Sequence, residues 1–208
     1  MKDNVIYSRI NEHIQENFWM YVVSIFCLCT GVVLGIYSVK YMGSIDKNDL
    51  VSYINGFTSS FKDNGIQYKA IFFQTLKNNL PFIAAMWFLG LTMVGLPVII
   101  ILDLIKGFTL GFTISFMINS IGFNGIWVSL VGIIPQNIIY IPCILFTSVV
   151  AMQFSLELLK DRGTKKWTSN IGMRISGYSI TFIIASLFMI LGFFIESYVT
   201  PNLIKLLF

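Results

Sequence analysis

An apolar run over residues 122–158 is too long for one ordinary membrane crossing, and it restricts the fold more than any other stretch of the sequence. From Trp127 to Glu157 it would form about 46 Å of helix, against a hydrocarbon core of about 30 Å. The excess has to be absorbed by a tilt, a kink or a helix that stops and restarts. We therefore predict a broken membrane span over 126–158.

Two prolines and a pair of adjacent amides interrupt this span. Proline removes a backbone hydrogen bond, and no water replaces it inside a bilayer. Gln136 and Asn137 follow Pro135 directly, so that their side chains can bond to backbone groups freed by a break. Broken helices of this kind also form binding sites in transporters. We predict that Pro135, Gln136, Asn137 and Pro142 form a structural break and a candidate ligand site.

The composition supports a membrane protein. Of the residues, 56% are hydrophobic and only 12% are charged, whereas a soluble domain carries about 25% charged residues. We predict a single all-α domain over 1–208, folded as a polytopic membrane helical bundle with about five transmembrane helices. An interfacial helix over 1–17 precedes the spans. The predicted spans are 18–39, 81–102, 104–121, 126–158 and 175–199.

The long connection over 40–79 has apolar residues at helical spacing, which predicts two short amphipathic surface helices. It either caps the bundle or docks an outside partner, and both interpretations stay open. The candidate partner surface consists of Leu50, Ile54, Phe57, Phe61, Ile71, Phe72 and Leu76.

A cluster of basic residues between the last two spans predicts the orientation. Positive residues concentrate in cytoplasmic loops, and this loop holds Lys160, Arg162, Lys165, Lys166 and Arg174. The connection over 40–79 and the C-terminus are then extracytoplasmic. That connection itself carries lysines, so its side of the membrane stays open.

Two GxxxG pairs predict close helix packing. Gly31 and Gly35 lie in the first span, and Gly107 and Gly111 lie in the third. Small residues at this spacing allow two helix backbones to approach closely. The favoured interpretation is packing within the chain, and the alternative is a surface for a partner's single span.

Signals for catalysis are missing from the sequence. Asp103 and Lys106 have the spacing of an ion pair, and we place them where the second span leaves the membrane. His13 is the only histidine and is predicted to lie on a solvated face. The apolar runs contain no HExxH motif, phosphate loop or ligand cluster. We expect no enzyme activity, no cofactor and no metal, and the absence of a basic stripe argues against nucleic-acid binding.

Three stretches carry a resemblance to a known family. They are FKDNGIQYKAIFFQTLKNNLPF, WFLGLTMVGLPVIIILDLIKGFTLGFTISF and GIIPQNIIYIPCILFTSVVAMQFS. Together they resemble the stage II sporulation protein M family over essentially the whole chain. The resemblance implies a five-span protein of the mother-cell and septal membrane, which acts in engulfment when the septal wall is remodelled. It also implies recruitment of two cell-wall hydrolases, sporulation proteins D and P, and no catalytic residues.

The expected function is therefore a non-enzymatic membrane scaffold that localises and anchors these hydrolases at the septal membrane. The alternative is a small-molecule or ion transporter or channel that uses the broken helix at 135–142. The near absence of deep ionisable residues in the predicted spans argues against the alternative. Formation of a homo-oligomer stays open.

Overall fold

The computed structural model describes residues 11–43, 47–52, 67–164 and 171–205, and these contain helices and no strands. The prediction of an all-α polytopic membrane bundle is confirmed. In the described part of the chain, four helices are long and apolar enough to cross a membrane, namely Phe18–Lys40, Gly95–Ser120, Ile134–Asp161 and Ile171–Leu203. The helices are α1 (Phe18–Lys40), α2 (Tyr68–Gly90), α3 (Gly95–Ile121), α4 (Phe123–Gly132), α5 (Ile134–Thr164), α6 (Ile171–Phe194), a π-helical turn (Ile195–Val199) and α7 (Thr200–Lys205).

Helix α1 packs parallel to α3. Ser24 near the start of α1 contacts Asp103, and Gly35 near its end contacts Phe112. The contacts therefore follow the same order along both helices. Parallel neighbours require a third helix that crosses back between them, and α2 occupies that place in the chain.

Helix α2 runs parallel to α5 and antiparallel to α6. At one end of α2, the carbonyl of Thr92 accepts a hydrogen bond from Ser155. At its other end, Thr75 reaches Glu196, which also bonds to Tyr140 near the start of α5. These contacts bring α2, α5 and α6 around one core, to which α3 adds Ile99. The most deeply buried apolar members of this core are Met86, Ile99, Ile144, Val149, Ala151 and Met152.

The outside of the bundle is also apolar. Phe26 on α1 is 70% exposed, and Ile183 on α6 is 59% exposed. A helix that is hydrophobic on all sides belongs in a large core or in a membrane. This outer surface fits lipid chains.

The prediction of one continuous second span over 81–102 is wrong. Within it α2 ends and α3 begins, with a turn between them. The hydroxyl of Thr92 donates to the carbonyl of Leu89, which competes with helix continuation. Pro97 lies in the first turn of α3, where its missing N–H has no helical partner to lose. The predicted third span over 104–121 is accordingly the C-terminal part of α3.

The predicted second span begins at Pro81, but this residue lies inside α2. The segment 68–79, predicted as a separate surface helix, is the first half of α2 and is continuous with the membrane part. Proline inside a helix leaves the carbonyl four residues earlier without its usual donor. Pro81 is exposed, and the carbonyl that lacks its donor is that of Lys77.

The break in the fourth span lies earlier than predicted. Helix α4 ends at Gly132, and α5 begins at Ile134, so that Ile133 forms the break. Pro135 is the second residue of α5, where a proline suits the first helical turn. Pro142 lies inside α5 without ending it.

The final helix is longer than the predicted span over 175–199. Helix α6 begins at Ile171 and continues through the π-helical turn into α7. In the predicted interfacial helix, residues 11–16 are helical, and residues 1–10 lie outside the described part of the chain.

Candidate functional site: polar groups within the bundle

The side chain of Asp103 is completely buried where three helices meet. Ser24 of α1 donates a hydrogen bond to one carboxyl oxygen. Ser148 of α5 donates to the other oxygen over 2.5 Å. Both serines are also 0% exposed. A single carboxyl group therefore ties α1, α3 and α5 together.

This position corrects the interpretation of Asp103 as an anchor at a membrane exit. Asp103 is the ninth residue of the 27-residue helix α3, and its partner Ser24 is well inside the apolar α1. The predicted pair with Lys106 does not form either, because both carboxyl oxygens are bonded to serines. The statement that the spans carry almost no deep ionisable residue is therefore wrong. An ionisable residue at membrane depth normally marks a functional or strongly structural site.

A second polar cluster lies between α2, α3, α5 and the π-helical turn. Glu196 accepts a hydrogen bond from Tyr140 over 2.7 Å and from Thr75 over 3.1 Å. One helical turn after Thr75, Asn79 accepts a hydrogen bond from the ammonium group of Lys106 over 3.2 Å. Thr75 and Asn79 thus bring an acid and a base to the same face of α2.

Lys106 also contacts an aromatic ring. Its Nζ atom lies 5.3 Å from the centroid of Phe82, which is a cation–π distance. The aliphatic stem of a lysine packs well against apolar neighbours, while its ammonium needs polar partners. Asn79 and Phe82 together supply both kinds of contact.

Gln136 and Asn137 contact the protein itself. The side-chain oxygen of Gln136 accepts a hydrogen bond from Thr200 over 3.0 Å, and both residues are buried. The amide nitrogen of Asn137 donates to the carbonyl of Ile133 over 2.7 Å, at the break between α4 and α5. One amide therefore joins α5 to α7, and the other bonds to a backbone group at the helix break.

The outer side of the break carries a shallow groove of about 310 Å³. Its walls are apolar except for Asn137, and they include Pro142. This groove opens on the lipid-facing side of the bundle, between α3 and α5. A groove of this kind suits an acyl chain better than a polar solute.

The two GxxxG pairs pack against each other. A Cβ atom added to Gly31 or Gly35 would overlap the α3 backbone between Leu104 and Phe112. A Cβ added to Gly107 or Gly111 would overlap the α1 backbone at Leu28 or Val32. The alternative in which these faces bind a partner's span is therefore wrong, because the faces already occupy each other.

Part of the predicted partner surface points inward. Phe72 and Leu76 pack against the bundle core, and Phe72 contacts the ring of Phe194 with centroids 5.2 Å apart. Ile71 and Leu50 are half-buried. Ile54, Phe57 and Phe61 lie outside the described residues. The apolar stripe of α2 thus faces the bundle. A different face of α2 points outward.

That outward face of α2 is polar over its first half. The exposed residues recur at helical spacing and are Lys69, Ala70, Phe73, Gln74, Lys77 and Asn78. The spacing of apolar residues indicates the buried side of a helix. It therefore did not identify this outward face. The polar residues between the apolar ones were the available signal.

Among the predicted topology anchors, Arg174 joins two helices. Its guanidinium bonds to Glu157 over 2.6 Å and to Asp161, both on α5. Lys160 is exposed near the end of α5. Lys165 and Lys166 lie outside the described residues, as does the side chain of Arg162. The orientation of the protein in the membrane stays a prediction.

His13 is half-buried, so its expected place on a solvated face is wrong. Its ring lies 5.6 Å from the ring of Phe146, and its Nδ1 atom is 3.5 Å from the hydroxyl of Tyr21. Burial lowers the pKa of His13, and nearby Glu16 and Gln153 partly oppose this shift. The residue packs the segment before α1 against α5.

Together, these groups serve to fasten helices. Among the residues that the structure describes, no group of three or more His, Cys, Asp and Glu side chains could hold a metal ion. Ser24 and Ser148 donate to a carboxyl group, and neither is exposed to a substrate. The chemistry that the sites support is cohesion between helices.

Comparison with known proteins gives one match. A family model described as Stage II sporulation protein M matches residues 24–201, which covers most of the chain. The match includes α2, α3 and α5, and therefore the Asp103 and Glu196 clusters. No protein of curated function and no solved structure matches the chain.

Proposed function

The chain belongs to the stage II sporulation protein M family and is a sporulation-related membrane protein, and we propose that it is a non-enzymatic scaffold for cell-wall hydrolases. In this proposal it localises and anchors the hydrolases at the septal membrane during engulfment. The candidate partners are sporulation proteins D and P, which the resemblance to the family implies.

The observation that carries the proposal is the way in which the buried polar groups are used. Asp103 bonds to two serines on two other helices. Glu196 and Gln136 likewise bond to residues on neighbouring helices. Polar groups that satisfy each other stabilise one arrangement of helices inside a bilayer. A rigid membrane platform is what a scaffold needs.

The scaffold proposal is tested by co-purification. The full chain, carrying an affinity tag, is isolated in mild detergent from membranes of sporulating cells, and candidate wall hydrolases are detected by immunoblot. We expect the hydrolases to be recovered with the chain and to lose their septal position in cells that lack it. A second tagged polytopic protein from the same membranes controls for non-specific recovery. Normal hydrolase localisation without the chain would contradict the proposal.

A transporter remains the second candidate because of Asp103. Transporters and pumps use buried carboxyl groups at membrane depth, and the sequence alone did not place one there. The candidate predicts that purified protein in liposomes moves protons or small ions, and that Asp103→Asn abolishes the flux. Asn137→Leu is the second variant, because Asn137 bonds to the carbonyl of Ile133 at the break between α4 and α5. Equal flux in protein-free liposomes would rule the candidate out.

A further inference from the structure

The outward face of α2 changes character along its length. In the second half of the helix the exposed residues are apolar, with Leu80 at 53% and Phe88 at 63% exposure. In the first half, Lys69, Gln74 and Lys77 are exposed together with Ala70 and Phe73. This polar α2 face, defined by Lys69, Gln74, Lys77 and Asn78, lies next to an ordinary lipid-facing surface.

Contacts place the polar α2 face within the membrane part of the bundle. Asn79, adjacent to the face, bonds to Lys106, which is the twelfth of the 27 residues of α3. Gly107 follows and packs against Leu28, the eleventh of the 23 residues of α1. Lys77 is therefore close to the level at which α1 and α3 are midway through their apolar lengths.

The start of the polar α2 face lies beside the C-terminal part of the last membrane span. Phe72 of α2 packs on Phe194 of α6, which is 49% exposed. Tyr68 stacks on Tyr198, which is 40% exposed. Apolar and aromatic side chains thus flank the polar face at the same height. Lysine and amide groups that face lipid hydrocarbon are costly unless a polar partner covers them.

The charge of the face indicates the kind of partner. Lys69 and Lys77 lie two helical turns apart on the same side of α2. Among the described residues, no carboxyl group pairs with either of them. Gln74 and Asn78 bond to each other over 3.2 Å beside Lys77, and the exposed ring of Phe73 lies between the two lysines. The face is thus positive, with hydrogen-bonding amides beside Lys77.

We propose that the polar α2 face binds a transmembrane helix of a partner protein that carries an acidic residue within the bilayer. The acidic side chain pairs with Lys77, and the amides of Gln74 and Asn78 bond to polar groups beside it. A second copy of this chain is a poorer occupant, because two such faces would bring lysines together. The inference rests on the proposed scaffold function and gives that function a membrane-embedded binding surface.

The test uses the full chain in lipid nanodiscs and a synthetic single-span peptide of leucine and alanine. One peptide carries a glutamate at mid-span, and its matched peptide carries leucine there. Binding is measured by energy transfer between fluorophores on the chain and on the peptide. We expect the glutamate peptide to bind at least about tenfold more tightly than the leucine peptide, as a polar contact between membrane helices allows.

Lys77→Met is the decisive variant, and Lys40→Met is its control, since Lys40 is an exposed lysine at the end of α1. Lys77→Met should remove the preference for glutamate, and Lys40→Met should keep it. Lys77→Glu should bind a lysine-bearing peptide instead, which shows that the variant is folded. Equal binding of both peptides to the unmodified chain would overturn the proposal. That result would mean that something other than an acidic partner helix covers the face.

The hydrolase experiment separates this inference from the scaffold function. If the glutamate peptide fails to bind while the hydrolases still co-purify with Lys77→Met, the polar α2 face is not the binding surface, and the scaffold function stands. If the peptide binds through Lys77 and no hydrolase co-purifies, the face has a different acidic partner. That result would overturn the hydrolase proposal and support the surface.

Discussion

Replacing Gly31 with alanine should loosen the contact between α1 and α3. The added Cβ atom would lie 2.8 Å from the backbone nitrogen of Phe108 and 3.0 Å from the backbone carbon of Leu104, and closer still to the Leu104 oxygen. These neighbours belong to a helix backbone, which cannot rotate away as a side chain can. The two helices therefore have to move apart along the whole GxxxG contact.

The size of the effect follows from two opposing contributions. Overpacking a close contact costs about 1–3 kcal/mol. The added atom clashes with the α3 backbone, and this favours the upper part of that range. Alanine in place of a helical glycine returns about 0.5–1 kcal/mol. Gly177→Ala is the matched control, because nothing lies within 4 Å of its Cβ position. It should therefore keep only the favourable contribution.

The assay is the free energy of unfolding in mixed micelles, followed by tryptophan fluorescence as denaturing detergent is added. Gly31→Ala should be about 1–2 kcal/mol less stable than the unmodified chain, and Gly177→Ala should be at least as stable. Gly107→Ala should behave like Gly31→Ala, because it clashes with Leu28 across the same contact. If Gly31→Ala and Gly177→Ala had equal stabilities, α1 and α3 would not pack as described.

Asp103→Leu should destabilise the fold by about 2–4 kcal/mol in the same assay, because it leaves the buried hydroxyls of Ser24 and Ser148 without their acceptor; Asp103→Asn keeps one acceptor and should lose less, and equal stabilities would contradict this account. Asn137→Leu should cost about 1 kcal/mol by removing the bond to the carbonyl at the helix break, and an unchanged unfolding midpoint would contradict it. Burial lowers the pKa of His13 below 6.5 in the folded chain, so its stabilising effect is complete above that pH and is lost as the pH falls through the folded-state pKa. Thermal unfolding between pH 8 and pH 5 should show this loss, and His13→Gln should reduce it; the same pH dependence in both chains would refute the assignment.

The sequence predicted the fold class and the close-packing glycines because those signals are local. Apolar runs indicate membrane helices directly. The GxxxG motifs at Gly31 and Gly107 indicate helix faces made of small residues, whatever their position in the fold. The partner of each glycine face could not be predicted, since it depends on which helices meet in space. The sequence did, however, show two GxxxG motifs on different spans, and such motifs can pack against each other.

The depth of Asp103 could not be predicted for a related reason. A charged residue beside a lysine commonly marks the end of a span, and the apolar run before it was long enough to be one. The structure moves the turn back to residues 91–94, so that the same charge falls inside α3. Its serine partners are 79 and 45 residues away along the chain, and no local pattern connects them.

The interpretation of α2 was mistaken because its apolar and polar faces were assigned to the wrong surroundings. Apolar residues such as Phe72 and Leu76 looked available to a partner while the segment was considered as a separate surface helix. Once the segment continues through Pro81 into the bundle, the same residues become core contacts. The outward polar residues then carry the functional interest.

The parallel packing of α1 and α3 has a consequence for membrane insertion. A chain that enters the membrane from its N-terminus inserts α1 first, and the helix against which α1 packs arrives only after α2 has crossed in the opposite direction. Ser24 is then already in place when Asp103 enters the bilayer, whereas Ser148 follows later with α5. Helix α1 therefore offers a packing surface and a hydrogen-bond donor to α3 as soon as α3 enters the membrane. In this order, assembly of the bundle begins before its synthesis is complete.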